Sequence, residues 1–142
     1  MSTSYRVSRT INATPETIWG LLTDGSSWIE WNPTIVSFDG TISLGQRVKL
    51  VTTVNPKRAF KLNVDEFEAP RRMVWSDGMP LGLFKGTRTY ALEAAGDGAT
   101  EFVMEEVYTG LLAPLITKSI PDMTESFGEF ADGLKTAAEG SV

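Results

Sequence analysis

Residues 27–35 read SWIEWNPTI and place two tryptophans three residues apart, just before an Asn-Pro pair. A three-residue step brings Trp28 and Trp31 to one face of a helical turn, and Pro33 prevents that turn from continuing. A helix this short is not stable alone. Its two indoles must therefore either fill a core or line a cavity, and the rest of the sequence helps to decide between these alternatives.

The chain has 142 residues, an apolar content of 42% and a formal net charge of −5. This length suits one domain, residues 1–142. The acidic balance argues against a nucleic-acid partner, because phosphate backbones bind surplus Lys and Arg. No apolar stretch approaches the roughly 20 residues of a membrane span, and the N-terminus lacks a signal peptide's apolar core. We therefore expect a cytoplasmic protein.

Cysteine and histidine are both absent from the sequence. Their absence excludes disulfides, thiol nucleophiles, histidine-dependent triads and the usual zinc sites. Carboxylates could still hold a hard cation, but no acidic run has calcium-loop spacing. We expect neither a metal nor a cofactor.

Hydrophobic periodicity predicts one strand, two short helices, six more strands and a long helix. Alternation over residues 4–12 indicates the first strand, and Thr14-Pro15 predicts the start of the first helix. The second helix is expected at residues 26–31. Alternation in the later strands fits an antiparallel sheet with one wet face. We place these strands near 35–39, 46–54, 58–68, 72–77, 83–94 and 100–109, with Gly- and Pro-containing turns between them.

The C-terminal stretch changes to a helical period. Its apolar residues, from Ile116 to Ala137, recur at steps of three and four and form one stripe. Pro121 either kinks this helix or marks a fresh start with Ser119 as the cap. A helix over residues 121–138 cannot fill the concave side of a curled seven-stranded sheet. The remaining gap predicts an apolar cavity on the order of several hundred Å³.

Several short pieces spread along the chain carry a family resemblance. They are ATPE at 13–16, IW at 18–19, LTD at 22–24, WIEWNP at 28–33, PRRMVW at 70–75, DGAT at 97–100 and EVYTG at 106–110. With them the sequence resembles the Bet v 1-like, START-related (SRPBCC) superfamily, in particular its bacterial polyketide cyclase/dehydrase-like branch. The resemblance implies an α+β helix-grip fold, in which a seven-stranded curved antiparallel sheet wraps around a long C-terminal helix. Members bind lipids, sterols, polyketides or quinones, and some are cyclases or aromatases, so fold alone does not settle function.

The last hairpin has a register that the sequence predicts. Centring its loop on Asp97 pairs Tyr90 with Met104 and Arg88 with Glu106, at about 5 Å between neighbours. The alternation turns these pairs towards the inner face of the sheet. Two interpretations of the charged pair stay open. It is either a structural ion pair at the edge of the sheet or the polar anchor of the cavity, where Arg88 orients a ligand carbonyl, carboxylate or phenol and Glu106 serves as a base.

The resemblance places the second short helix across the mouth or side wall of the cavity. We expect one indole to brace the sheet and Trp31 to border the cavity, although both could simply anchor the helix. The apolar segment 78–84 is expected to be a loop folded over the entrance, because exposing Met79, Leu81 and Phe84 would be costly. The predicted ligand-binding residues are Trp31, Leu50, Thr52, Phe60, Leu62, Val64, Trp75, Met79, Phe84, Arg88, Tyr90, Met104, Glu106, Tyr108, Ile120, Met123 and Phe127.

Three functions remain open at this point. The first is binding of a small hydrophobic molecule, lipid-, polyketide- or sterol-like, by a carrier or sensor. The second is a polyketide cyclase, dehydratase or aromatase that uses positioning and a single acid or base, for which Arg88, Glu106, Tyr90 and Tyr108 are the candidates. The third is a protein-interaction module similar to co-chaperone activators, for which the sequence shows no large apolar patch. Both a monomer and a homodimer are compatible with the sequence.

Overall fold

The computed structural model describes residues 3–140. The strands are β1 (Thr3–Ile11), β2 (Ile35–Asp39), β3 (Arg47–Thr52), β4 (Asn55–Glu68), β5 (Arg72–Met79), β6 (Phe84–Ala94) and β7 (Thr100–Thr109). The helices are α1 (Pro15–Thr23), α2 (Trp28–Trp31), α3 (Ala113–Ile116) and α4 (Thr124–Gly140), with 3₁₀ turns at Gly25–Ser27 and Thr117–Ser119. All strands pair antiparallel in the order β1-β7-β6-β5-β4-β3-β2. The predicted α+β helix-grip fold is confirmed.

Helix α1 begins at the predicted Pro15, and α2 ends at the predicted Trp31 but begins at Trp28 instead of residue 26, because a 3₁₀ turn occupies Gly25–Ser27. Thr14 caps α1 by accepting a hydrogen bond from the Thr17 N–H at 3.3 Å, and Pro15 occupies the first helical position. After α2, the Asn32 side chain accepts hydrogen bonds from the backbone N–H and the hydroxyl of Thr34 at 2.9 and 2.7 Å. Asn32 thus fixes the direction in which the chain leaves α2 for β2.

The β6–β7 register is the predicted one, with Tyr90 opposite Met104 and Arg88 opposite Glu106. Two turns differ from the prediction. The chain reverses at residues 53–54, so that β4 already begins at Asn55 and Pro56 lies at its start, where a strand tolerates proline. Segment 78–84 is a tight hairpin rather than a loop, because β5 continues to Met79.

The proline before the last helix marks a fresh start and not a kink. Helix α4 begins at Thr124, whose N–H donates a 2.9 Å hydrogen bond to the Asp122 carboxylate. The prediction of Ser119 as the cap is wrong, because its hydroxyl instead donates to the Ile116 carbonyl. From this start α4 packs mainly against β1, α1 and α2. Gly133 permits the close approach of α2, since a Cβ there would lie 2.2 Å from the Trp31 carbonyl oxygen.

Aromatic rings fill one end of the space between the sheet and the helices. Trp28 is buried and stacks on Trp75 with ring centroids 5.5 Å apart and planes 11° from parallel. Its indole N–H donates to the Leu22 carbonyl at 3.1 Å. Phe130 of α4 contacts Trp28 edge-on at 5.2 Å, and Tyr90 contacts Trp75 at 5.0 Å. We call the region of Trp28, Phe38, Trp75, Tyr90 and Phe130 the packed half.

Candidate ligand-binding cavity

A cavity of about 390 Å³ lies at the other end of the sheet's inner face. We call this region the open half. Its walls come from β3 to β7, and its cover is the segment between β7 and α4. The lining residues are Leu50, Thr52, Val54, Asn55, Arg58, Phe60, Leu62, Asp77, Phe84, Gly86, Arg88, Glu106, Tyr108, Ile116, Ser119, Ile120, Pro121 and Met123.

The cavity exists because α4 does not reach this end of the sheet. Pro121 delays the helix to Thr124, so the cover consists of α3, a 3₁₀ turn and the residues that follow. These contribute aliphatic and small polar side chains, chiefly Ile116, Ser119 and Ile120. No aromatic ring from the cover fills the space, in contrast to Trp28 and Phe130 at the packed half. The predicted cavity is therefore present, but it lies beside the start of the long helix rather than beneath it.

Arg88, Glu106 and Tyr108 form the polar part of the wall. Arg88 donates from Nε and Nη2 to the two carboxylate oxygens of Glu106 at 3.3 and 3.2 Å. The Tyr108 hydroxyl donates a shorter bond, 2.6 Å, to the same carboxylate. The charged side chains are 18% and 13% exposed, so this is a largely buried pair that borders the cavity. Phe127 lies beneath the guanidinium, 5.0 Å from its central carbon, which adds a cation–π contact.

These surroundings fix the protonation states of the polar wall. Burial alone would lower the pKa of Arg88, but the negative charge of Glu106 and nearby Tyr90 raise it, and the net pKa lies above its ordinary value. Burial, reinforced by the Glu106 charge, raises the pKa of Tyr108. Burial likewise raises the pKa of Tyr90 to about 12. At neutral pH the wall thus presents a charged Arg88 and a protonated Tyr108, and the core residue Tyr90 behind it is also protonated.

Arg58 and Asp77 are the remaining charged residues of the cavity lining. Arg58 lies over the ring of Phe60 at 4.9 Å, and Asp77 is half-buried. Two cationic and two anionic side chains, Arg58 and Arg88 with Asp77 and Glu106, give the lining a formal net charge of zero. The cavity is therefore polar at specific points without an overall charge.

The structure separates the predicted ligand-binding residues into three groups. Those that line the cavity are Leu50, Thr52, Phe60, Leu62, Phe84, Arg88, Glu106, Tyr108, Ile120 and Met123. Those buried in the core are Val64, Trp75, Tyr90, Met104 and Phe127. Two others, Trp31 and Met79, lie outside the cavity lining. Contact of any of these residues with a ligand stays a prediction.

Trp31 lies outside the cavity lining, in a surface groove between α2 and α4. The groove measures about 590 Å³ and is open to solvent, with Ile29, Pro33 and Gly133 among its walls. The Trp31 indole N–H donates to the Ser27 hydroxyl at 3.1 Å, and its ring meets Phe130 at 5.3 Å. Thus Trp28 is the brace that the sequence predicts, but the expected position of Trp31 at the cavity border is wrong.

Some lining residues were absent from the sequence prediction. Gly86 and Asp77 are opposite one another in the sheet, and Gly86 is also opposite Tyr108. Strand alternation from Arg88 and Trp75 would have found both. Arg58 lies in β4 on the same face as Phe60, so alternation would have found it as well. The remaining ones lie at the β3–β4 turn or in the cover, where the tertiary structure decides which side chains face the cavity: Val54, Asn55, Ile116, Ser119 and Pro121.

Within residues 3–140, no group of three or more acidic side chains is arranged to hold a metal ion. No helix in the same range has the length and apolar character to cross a membrane.

Comparison with known proteins identifies relatives of the whole chain. The family model described as polyketide cyclase/dehydrase and lipid transport matches residues 2–139. Together with the structural similarities below, this match confirms the superfamily resemblance predicted from the sequence. No functionally curated protein matches the sequence.

Solved structures share the fold at low sequence identity. The Zhui aromatase/cyclase from Streptomyces sp. R1128 superposes with a TM-score of 0.77 at 12% identity, over 98% of this chain and 94% of that one. A protein from Mesorhizobium loti gives 0.76 at 18% identity, over 99% of both chains. Norcoclaurine synthase from Thalictrum flavum, in complex with a transition-state analogue, gives 0.75 at 10% identity, over 99% of this chain and 96% of that one. At these identities the similarity shows the fold and not the activity.

Proposed function

This chain belongs to the polyketide cyclase/dehydrase and lipid transport family, and from that premise we propose that it binds a small, largely apolar molecule in the cavity of the open half. One observation carries the proposal. An apolar cavity borders a largely buried Arg88–Glu106 pair, so that a bound ligand would contact apolar side chains along most of its length and polar groups at one end. The volume of about 390 Å³ falls within the roughly 300–1,000 Å³ that is typical of small-molecule sites.

The polar end favours a neutral head group over a carboxylate. A guanidinium has five N–H donors, and the bonds to Glu106 account for two of those of Arg88. A carbonyl or phenol oxygen could accept from the others without meeting net charge. A carboxylate would have to displace Glu106 or lie beside it, because the lining carries no surplus positive charge. Like charges at such short separation repel by several kcal/mol at an intermediate dielectric constant of about 20.

A second candidate function is proton-transfer catalysis in the same cavity. The Glu106 carboxylate borders the cavity and is held in place by Arg88 and by the Tyr108 hydroxyl. A substrate whose carbonyl oxygen accepted from Arg88 would place its neighbouring C–H near this base, as a cyclase or dehydratase requires. The aromatase/cyclase among the structural neighbours is consistent with this function. Binding requires only the cavity, and catalysis also requires Glu106 as a base.

The proposal is tested by titration with the neutral fluorescent probe N-phenyl-1-naphthylamine. The wild-type chain should bind it saturably. Thr52→Trp places an indole in the cavity and should abolish binding, whereas Thr53→Trp changes the adjacent exposed turn residue and should not. An absence of saturable binding by the wild-type chain, or equal loss in the two variants, would contradict the cavity proposal.

Competition against the probe tests the polar end separately. Decan-2-one should displace the probe at lower concentration than decanoate does. Glu106→Gln removes the negative charge beside Arg88 and should shift this preference towards decanoate by about tenfold or more. In the catalytic alternative the same variant would keep probe binding and lose turnover of a substrate. Equal displacement by ketone and carboxylate would contradict the head-group preference while leaving the cavity proposal intact.

A further inference from the structure

Four of the exposed large apolar side chains lie at the cavity end of the molecule. Leu81 is 91% exposed, Leu111 80%, Leu115 66% and Met79 48%. We call this set the mouth patch. The sequence predicts that segment 78–84 folds over the entrance and buries Met79 and Leu81. That expectation is wrong, because the tight β5–β6 hairpin turns both side chains into solvent.

The mouth patch is continuous because two backbone segments are hydrogen-bonded to each other. The Leu111 N–H donates to the Gly82 carbonyl at 3.2 Å, and the Leu112 N–H donates to the Leu83 carbonyl at 2.8 Å. The β5–β6 turn is thereby joined to the segment that leads into α3. Phe84 and Ile116, which follow these segments, line the cavity. The exposed side chains therefore adjoin residues that line the cavity.

Leu81 is an unusual residue for its position. It has φ of 63°, the only positive φ outside glycine within residues 3–140, and Gly82 follows with φ of 70°. The Leu83 N–H closes the turn on the Pro80 carbonyl at 3.3 Å. Two successive left-handed residues define the type I′ hairpin turn, which favours Asn, Asp or Gly at its first central position. Leucine is both strained and exposed here, so its presence is not explained by the stability of the free protein.

The mouth patch lies in two uncharged segments, each of which is followed by an exposed lysine. Segments 78–84 and 109–117 contain no charged residue. The nearest acidic residues before them, Asp77 and Glu106, line the cavity. The nearest charged residues after them, Lys85 and Lys118, are exposed. An apolar tip bordered by exposed lysines, in a chain of net charge −5, matches the surface of a bilayer that contains anionic lipids.

We propose that the mouth patch docks on a lipid surface, with its leucines in the interfacial layer and Lys85 and Lys118 at the head groups. The cavity opening then faces the membrane, so an apolar ligand could pass between bilayer and protein without crossing water. A second copy of the chain fits less well. A stable protein–protein interface buries about 800 Å² per partner, which exceeds what four side chains on a narrow tip supply.

Co-sedimentation with lipid vesicles tests the proposal. Wild-type chain should bind vesicles of equimolar phosphatidylcholine and phosphatidylglycerol, and bind less to phosphatidylcholine alone. The double variant Leu81→Asp/Leu111→Asp should reduce vesicle partitioning by about tenfold or more. The control is Ile29→Asp/Leu44→Asp, which makes the same chemical change at residues that are 61% and 62% exposed and lie outside the patch. The control should stay within about twofold of wild type.

Two further measurements keep the outcome unambiguous. Binding of N-phenyl-1-naphthylamine in vesicle-free buffer should be unchanged in both double variants, which separates docking from the cavity proposal and reports correct folding. Light scattering after size exclusion gives the oligomeric state. The docking proposal would be overturned if wild type failed to bind vesicles or if the control lost as much binding as the patch variant. A wild-type dimer that the patch variant alone dissociates would also overturn it, and would assign the patch to a second copy.

Discussion

The packed half and the open half use the same sheet in different ways. In both, alternate residues of β5, β6 and β7 turn inwards, and the strands continue without interruption from one half to the other. At the packed half, helix α2 places Trp28 against Trp75, and helix α4 places Phe130 against Trp28 and Tyr90. At the open half, the cover is a short helix and an irregular segment, and about 390 Å³ stays unfilled.

The difference teaches that the cover, and not the sheet, decides where a cavity forms. Large rings on regular helices fill the concave face, because aromatic side chains bury much area in fixed orientations. Ile116, Ser119 and Ile120 are too small to do so. Stability should therefore concentrate at the packed half, and ligand-dependent properties at the open half.

The largest expected effect is the loss of stability that follows removal of the Trp28 indole. Trp28→Ala should lower the free energy of unfolding by about 3–5 kcal/mol, the usual cost of removing a fully buried large aromatic side chain. Phe60→Ala at the cavity wall should cost about 1 kcal/mol, because Phe60 is only half-buried and already borders empty space. Urea unfolding followed by circular dichroism measures both.

A milder change guards against failure of the alanine variant to fold. Trp28→Phe should cost less than Trp28→Ala and still more than Phe60→Ala, since it loses the 3.1 Å bond to the Leu22 carbonyl and part of the ring contact with Trp75. Equal costs at Trp28 and Phe60 would show that the two halves are not energetically different.

The second effect is a pH dependence that arises where the two halves meet. Burial raises the pKa of Tyr90 to about 12 from an ordinary value of 10.0. Below pH 10 the Tyr90 phenol is neutral in both the folded and the unfolded chain, so its contribution to the free energy of unfolding does not depend on pH. As pH rises from 10 to 12, the tyrosine ionises first in the unfolded chain, so the Tyr90 contribution to stability should fall by up to about 2–3 kcal/mol. Tyr108, whose pKa is also raised, adds to the loss in this range. Chemical denaturation at several pH values measures the slope.

Tyr90→Phe is the matched control for this slope. The buried Tyr90 hydroxyl interacts with the nearby Arg88 guanidinium but makes no well-aligned hydrogen bond within residues 3–140, so at pH 7 the variant should lie within about 1 kcal/mol of wild type. It should also show a smaller loss between pH 10 and 12. A variant with the wild-type slope would assign the dependence to other groups.

Most of the fold could be predicted from the sequence because it follows from local periodicity. Strand alternation and the turn at Asp97 predicted the β6–β7 register residue by residue, including Arg88 opposite Glu106. The start of α1 followed from Thr14 and Pro15. These features need only the near neighbours of each residue in the chain.

The candidate site was less predictable because it depends on which surfaces meet. Alternation showed that Trp75 and Tyr90 face inwards, but not that Trp28 and Phe130 would cover them. The side of α2 on which Trp31 lies depends on the approach of α4 at Gly133. The solvent exposure of Leu81 likewise depends on how tightly the hairpin turns. A register is a local property, whereas a cavity is what several distant segments leave between them.

The smallest expected effect is a change in stability at Leu81, in the β5–β6 turn, and it can be measured separately from vesicle binding. Leu81→Asn should raise the free energy of unfolding by about 1 kcal/mol, because asparagine adopts the left-handed conformation at lower cost. Leu111→Asn, at a comparably exposed residue without positive φ, should leave stability within about 0.5 kcal/mol of wild type. Both substitutions remove an apolar side chain from the mouth patch, so both should weaken vesicle binding. If Leu81→Asn alone stabilises the chain while both variants weaken vesicle binding, leucine is present at the turn for what it contacts outside the protein. Stabilisation without any loss of vesicle binding would show that the strained leucine has no role in docking.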